Sequence, residues 1–201
     1  MKIAGLMRKH LDRGLTILEI SRQLKIGYRP AYNHILAMEK ESMIKVERVG
    51  NAKQCLLNLE NARTRHILEE VSMLKKEELL KENQKLRAAL EGLIQKLTGQ
   101  FISEVHSIAL FGSYAKGTFT KPSDVDLLFI VADMKGRNLR EGIERECASY
   151  QYSHNMKVSP LITDISEFGK MLKSKGFNVG REAREYGMPL YGFEMFWRLM
   201  I

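Results

Sequence analysis

Two aspartates separated by a single valine, Asp124 and Asp126, open the apolar run DVDLLFIV, and Gly112-Ser113 stands ten residues ahead of them. Side chains at i and i+2 of a strand point to one face, so the two carboxylates aim together while Val125 and Leu127 face away. Carboxylates held this close repel each other, and a bound dication removes the repulsion. Mg²⁺ takes oxygen ligands, usually one or two carboxylates together with substrate phosphates. The plain alternative is a solvated D-x-D at the start of a strand. Gly112 and Ser113 end the apolar VHSIALFG and precede YAKGT, which reads as a short helix. Glycine lets backbone come close to a ligand, helix-start N–H groups receive anions, and the serine hydroxyl adds a donor. An ordinary strand–helix turn would use the same residues. Lys116 adds positive charge nearby. A phosphate loop of the Walker type is excluded: Gly112 and Gly117 have its spacing, but Thr118 follows directly where Lys-Ser or Lys-Thr is required.

Gly112-Ser113, ten residues, then Asp124-Val125-Asp126, framed by IALFGS and LLFIV, resembles the signature of the minimal nucleotidyltransferases of the DNA polymerase β superfamily. The run GSYAKGT is similar to a frequent version of that motif. The resemblance implies a mixed sheet backed by helices and Mg²⁺-dependent transfer of a nucleoside monophosphate from an NTP, with ATP and AMP the expected pair. It implies that Gly112 and Ser113 hold phosphates and that Asp124 and Asp126 hold metal, two ions being possible. It also implies a third carboxylate on a later strand. Aligning KVSPLIT with that strand puts Ser159 in the acid's place, and Asp164, the nearest carboxylate, at the strand's end or beyond. Minimal enzymes of this kind often act as antitoxins that adenylylate a partner ribonuclease of the HEPN type, so such a toxin is an expected partner. The alternative is a transcriptional regulator whose C-terminal part senses a nucleotide or a partner without turnover.

These residues need a scaffold. Over residues 100–201, VHSIALFG, DVDLLFIV and KVSPLIT read as strands and NLREGIERECASY and SEFGKMLKSKG as helices, the alternation of a mixed α/β domain. Phe193 and Trp197 near the end of the chain read as core rather than as a base-stacking platform.

Residues 1–60 read differently. Thr16 and Glu19 make the T-x-x-E of a capping box, and Ile17, Ile20 and Leu24 mark one helical face that Gly27 ends. Pro30 suits the first position of the next helix. A Gly50-Asn51 turn joins a strand with Val46 and Val49 to a return strand from Cys55 to Leu59. With a first helix expected over roughly residues 3–12, the order helix, helix, turn, helix, hairpin resembles the winged helix-turn-helix of prokaryotic regulators. That resemblance implies duplex DNA as a partner, with Arg29, Tyr32, Asn33 and His34 on the second helix of the pair and Arg48 and Lys53 at the wing as candidate contacts. A winged helix that binds protein is the alternative. Charge favours a polyanion: residues 1–60 carry 11 basic and 6 acidic side chains, against 13 and 12 over residues 100–201, in a chain of net charge +8.

Between them, residues 62–98 hold no proline and a single glycine, Gly92, so one helix of about 55 Å is expected. Leu79, Leu86, Leu90, Leu93 and Leu97 recur with near-heptad spacing, with Asn83 at a core position, and the step from Leu74 to Leu79 breaks the phase of the apolar positions before it. This is either the seam of a homodimer or a face that packs on the chain's own domains. The expected fold class is therefore α+β: a winged helix over residues 1–60, a long connecting helix over 61–99 and a mixed α/β nucleotidyltransferase domain over 100–201. Cys55 and Cys147 form no C-x-x-C pair. With no signal-like N-terminus and no apolar stretch long enough to span a bilayer, a reduced cytoplasmic setting without membrane contact is expected.

Overall fold

The computed structural model describes residues 1–50, 52–121, 123–134 and 137–201, the side chain of Arg137 excepted. The chain divides into two compact units, Met1–Val71 with the terminal Ile201, and Ser72–Met200.

In the N-terminal unit, α1 (Lys2–Met7) runs into a single 3₁₀ turn, Arg8–His10. The capping box forms at the start of α2 (Ile17–Leu24): the Glu19 N–H donates to Thr16 Oγ1 at 3.2 Å, and the Thr16 N–H donates to Glu19 Oε2 at 2.8 Å. Lys25, left-handed at φ 52°, ends this helix, and Gly27 instead leads into α3 (Tyr28–Lys40). Pro30 thus lies in the first turn of α3 rather than at its first position, still where an amide has no intrahelical acceptor. Strands β1 (Ile44–Val49) and β2 (Ala52–Leu57) pair antiparallel, with Val49 opposite Ala52. Gly50 leads the connection at φ +60°, while Asn51 of the expected turn lies outside the described residues. The return strand begins three residues before Cys55, and Leu15 bridges to Cys55 through two backbone hydrogen bonds of 3.0 and 2.8 Å. Met7, Leu15, Ile20, Ala31, Ile35, Ile44, Cys55 and Leu68 fill the core.

The expected single helix over residues 62–98 is two, α4 (Ala62–Glu82) and α5 (Gln84–Gln100). They part at Asn83, whose backbone leaves the helical region (φ −127°, ψ 72°) and whose amide donates to the Leu79 carbonyl at 2.8 Å. Asparagine competes with the helix for backbone partners in this way, at the point where the leucine phase has already slipped between Leu74 and Leu79. Leu86, Leu90, Leu93 and Leu97 are buried in the core of the C-terminal unit. They are occupied there, which is the second of the two readings of this stripe. The alternative, packing within the chain, is what the leucines do.

The C-terminal unit continues with β3 (Val105–Leu110), α6 (Gly112–Lys116), β4 (Val125–Val131), α7 (Arg137–His154), β5 (Val158–Asp164), α8 (Ile165–Lys173), α9 (Val179–Tyr186), β6 (Met188–Tyr191) and α10 (Phe193–Arg198). The strands form one sheet in the order β5-β4-β3-β6; β4 and β5 are parallel and the other pairs antiparallel. Val125, Leu127, Phe129 and Val131 of β4 join the α5 leucines and Ile143 and Cys147 of α7 in one cluster. Phe168 of α8 and Phe196 and Trp197 of α10 are fully buried but outside that cluster, which puts them on the sheet's other face. This is the face of Asp126, Leu128 and Ile130. Trp197 is core, as expected; Phe193 is half-buried, with the Lys76 ammonium 5.6 Å from its ring centroid. The two outer strands each contain a proline, Pro160 in β5 and Pro189 in β6. Both cysteines are free and buried, and burial pushes their thiols up to about 11 for Cys55 and about 12 for Cys147.

Candidate active site

The first strand of the motif, β3, delivers the chain to Phe111, whose N–H donates to the Asp126 carbonyl at 3.0 Å. Gly112 follows at φ +66°, a backbone conformation that L side chains rarely adopt, and opens the short helix α6. A Cβ built on Gly112 would overlap the Asp126 carboxylate. The glycine of the motif and its second aspartate are thus in van der Waals contact, although ten residues, the rest of α6 among them, separate Ser113 from Asp124. Asp124 stands just before β4, and Asp126 is its second residue.

The parallel pairing of β4 with β5 adds two residues to this corner. Asp126 lies opposite Ser159 in the ladder, and the Val125 N–H donates to the Lys157 carbonyl at 2.8 Å. The Lys157 ammonium donates to Asp124 Oδ2 at 2.5 Å, and the Ser159 hydroxyl donates to the same oxygen at 3.1 Å. The two carboxylates consequently differ. The lysine hydrogen bond, helped by the serine's, holds Asp124 below the usual carboxylate range. Burial raises Asp126 above it, and the Asp124 and Glu182 charges add to that rise. A cation beside Asp126 offsets the repulsion by those two charges and favours the ionised carboxylate. An acceptor-only corner of two carboxylates, with one cation already seated on it, suits a hard divalent ion. Among the described residues no group of three or more His, Cys, Asp or Glu side chains joins into a metal cluster.

Comparison with known proteins identifies the domain. Residues 90–178 match the nucleotidyltransferase domain family. Two proteins of Methanocaldococcus jannaschii, both named as candidate protein adenylyltransferases, are similar to this chain. One is 35% identical over 81 residues, 39% of this chain and 55% of its own length. The other is 34% identical over 83 residues, 41% of this chain and 76% of its own length. The chain belongs to the nucleotidyltransferase family. It spans about half the length, 55%, of the first of these relatives. Among solved structures, a toxin–antitoxin crystal structure with AMP-PNP aligns over 53% of this chain and 80% of that one, at 23% identity and a TM-score of 0.37.

In this nucleotidyltransferase, Ser159 occupies the ladder position beside Asp126, and Asp164 does not approach it. Asp164 pairs with Val131 at the opposite end of β4 and caps α8, accepting the Glu167 N–H at 2.8 Å. Five residues of strand separate it from Ser159, about 16 Å. Asparagine caps as well as aspartate does, and alanine at a cap costs about 1 kcal/mol. Asp164→Asn is therefore expected to leave both nucleotide affinity and stability unchanged. Asp164→Ala should lower the denaturant midpoint while leaving nucleotide affinity intact. Loss of affinity in either variant would show that Asp164 serves the site.

Lys116, expected to lend its charge to a phosphate, is instead engaged by the buried Glu182 of α9. Its ammonium lies 2.7 Å from Glu182 Oε1, and 5.5 and 5.9 Å from the ring centroids of Tyr186 and Phe177. Glu182 and Lys157 escaped the sequence reading. Lys157 carries a readable signal, because it precedes Ser159 by two residues and so shares its face; Glu182 carries none.

In the N-terminal unit of this nucleotidyltransferase, Arg29, Tyr32 and Asn33 are exposed at i, i+3 and i+4 of α3, on one face. Tyr32 stacks on Tyr28 with ring centroids 6.4 Å apart. His34 stands apart from them, lining an apolar pocket with Leu24, Ile26 and Met38. Arg48 and Lys53 are exposed and directly opposite in the hairpin ladder. Like charges so placed are destabilising. Among the described residues no helix is long and apolar enough to cross a membrane.

Proposed function

We propose that this chain transfers a nucleoside monophosphate, AMP, from ATP to a hydroxyl of a protein, with Asp124 and Asp126 holding Mg²⁺ and Gly112-Ser113 receiving the phosphates. The observation that carries the reading is the contact of Gly112 with the Asp126 carboxylate. A side chain in place of that glycine would fill the space where phosphate oxygens must approach the acid. Relatives named as protein adenylyltransferases support AMP and a protein acceptor. In the reaction the acceptor oxygen bonds to the α-phosphorus, the bond to the β-phosphate oxygen breaks, pyrophosphate leaves, and the hydroxyl proton passes to a base. Bound Mg²⁺ would supply charge stabilisation to the phosphoryl oxygens. The chain's own residues orient and exclude: the Gly112 backbone sets the approach, and Ser159 and Lys157 fix the Asp124 carboxylate. Serine is no base at neutral pH, so turnover is slow unless the acceptor brings its own base; general-base help is worth about 10²–10⁴ in rate. Incubation of the chain with α-labelled ATP, Mg²⁺ and host cell extract tests the reading, with a labelled protein as the expected product. The partner this reading favours is a HEPN-type toxin. Label found only in free nucleotide would overturn protein adenylylation.

Residues 1–60 we read as a winged helix on duplex DNA, joined through residues 61–99 to the nucleotidyltransferase domain over 100–201, in a cytoplasmic protein. The reading draws on the order of helices and hairpin, on Arg29, Tyr32 and Asn33 sharing the exposed face of α3, and on the Arg48–Lys53 pair, which an anion would relieve. His34 we place at the edge of that surface. Neutralising Arg29, Arg48 and Lys53 with alanine should weaken duplex binding about equally for all sequences and reduce the slope of log K against log salt by about 2.7. An unchanged slope would remove these residues from the interface.

A further inference from the structure

The corner of the sheet that holds the two aspartates also holds a cation of the chain's own. Lys157 stands one residue before β5, its backbone carbonyl tied to the Val125 N–H at 2.8 Å. Its side chain is 58% exposed, yet its ammonium rests on Asp124 Oδ2 at 2.5 Å. Ser159 donates to that same oxygen at 3.1 Å. A carboxylate oxygen offers two lone pairs, so Oδ2 is fully engaged. Three protein oxygens remain for a metal: Oδ1 of Asp124 and the pair on Asp126. Three oxygens, completed by phosphate and water, suit one octahedral ion. They are few for two.

Charge points the same way. The two carboxylates, Lys157 and one divalent ion sum to +1, a cluster ready for a polyphosphate. A second divalent ion raises the sum to +3 at contact distances. Lys116 does not change this balance, because Glu182 neutralises it at 2.7 Å.

We propose that this chain loads a single divalent cation, on Asp124 Oδ1 and the Asp126 carboxylate, and that the Lys157 ammonium is the second positive centre of the site, meeting a phosphate of the bound nucleotide. The inference rests on the nucleotidyl-transfer reading above. One of the ammonium's three donors is engaged by Asp124, which leaves two for phosphate oxygens. Lysine binds phosphate as a point charge, and its freedom on the solvent side lets it follow the nucleotide.

The test uses the full chain and Mn²⁺, whose free-ion EPR signal falls as it binds, with and without equimolar α,β-methylene ATP. Wild type is expected to take up one Mn²⁺ per chain in the ternary complex. Lys157→Ala should bind Mn²⁺ about thirtyfold more tightly without nucleotide, since a unit charge about 4 Å from a divalent ion is worth roughly that factor even in water. The same variant should bind the ATP analogue about tenfold more weakly, and Lys157→Arg should restore that affinity. Far-UV circular dichroism checks that this exposed substitution leaves the fold alone. Two Mn²⁺ per wild-type ternary complex would overturn the inference while leaving the nucleotidyl-transfer reading in place. Unchanged Mn²⁺ and nucleotide affinities in Lys157→Ala would overturn it equally. If wild type binds neither Mn²⁺ nor the analogue, the underlying reading fails and the inference with it.

Discussion

Asparagine at both Asp124 and Asp126 is expected to lower transfer of label from ATP by about three orders of magnitude, because charge stabilisation by a bound metal is worth several kcal/mol at the transition state. The fold should survive, and the two sites should contribute with opposite sign. Asp126 has a folded pKa raised above its unfolded value by burial and by Asp124. Its ionisation therefore works against the fold. That penalty is absent below the unfolded pKa of about 3.9, grows as pH rises through the raised folded value, and is constant above it. Asp124 has a folded pKa lowered by the Lys157 hydrogen bond. Its contribution is favourable, present above the unfolded pKa and lost as pH falls through the folded one. A third of the Asp124 side chain is exposed, so the pair with Lys157 is worth no more than a surface ion pair, about 0–1 kcal/mol. Asp126→Asn alone should thus melt higher than wild type at pH 7 without metal, and the difference should vanish below about pH 4. Thermal melts at pH 7 and pH 3.5 measure this. A lower Tm for Asp126→Asn at pH 7 would mean that Asp126 has a favourable partner in the free protein.

Gly112→Ala should damage both stability and the site. A left-handed conformation costs an L residue about 1–2 kcal/mol, and at φ +66° alanine bears that cost in full. Its Cβ would also displace the Asp126 carboxylate, the end of a short side chain anchored in the middle of the sheet. We expect a stability loss of about 1–3 kcal/mol by chemical denaturation, and loss of nucleotide affinity beyond what the fold explains. Gly117→Ala is the control: it is also left-handed, at φ +74°, but a Cβ there meets nothing within 4 Å. It should share the conformational cost and keep nucleotide affinity. Equal affinity losses in the two variants would show that backbone strain, not contact with Asp126, is what Gly112 relieves.

The motif was legible because its parts are close in sequence: two aspartates at strand period, a glycine-serine turn, a loop of defined length. That Gly112 touches the Asp126 carboxylate is not in the spacing; it comes from the antiparallel pairing of β3 with β4. Lys157 was passed over because a lone lysine ahead of a strand is ordinary surface until parallel pairing brings it to a carboxylate far upstream. Strand β6 was missed for a related reason: four residues with a proline among them carry little strand signal of their own, and pairing with β3 makes them a strand. The break at Asn83 was half visible, as a slipped leucine phase, but an asparagine inside an otherwise helical run is as easily read as a polar core position. In the N-terminal unit local signals sufficed for the capping box and the hairpin. They did not for the start of α3, where Pro30 tolerates several positions in the first turn.

The two prolines in the outer strands bear on how this chain stays out of aggregates. An outer strand presents a row of free N–H and C=O groups that another chain can extend, and a proline interrupts the row of donors. With Pro160 on one rim and Pro189 on the other, neither edge of the sheet offers an unbroken template. The sequence most prone to stack, LLFIV in β4, is kept between two neighbours. The protection is uneven in time. Until Met188–Tyr191 is synthesised and paired, the rim is β3, VHSIAL, which has no proline and is apolar along most of its length. A nascent chain halted before β6 would carry Gly112-Ser113 and both aspartates, with an open, adhesive edge beside them.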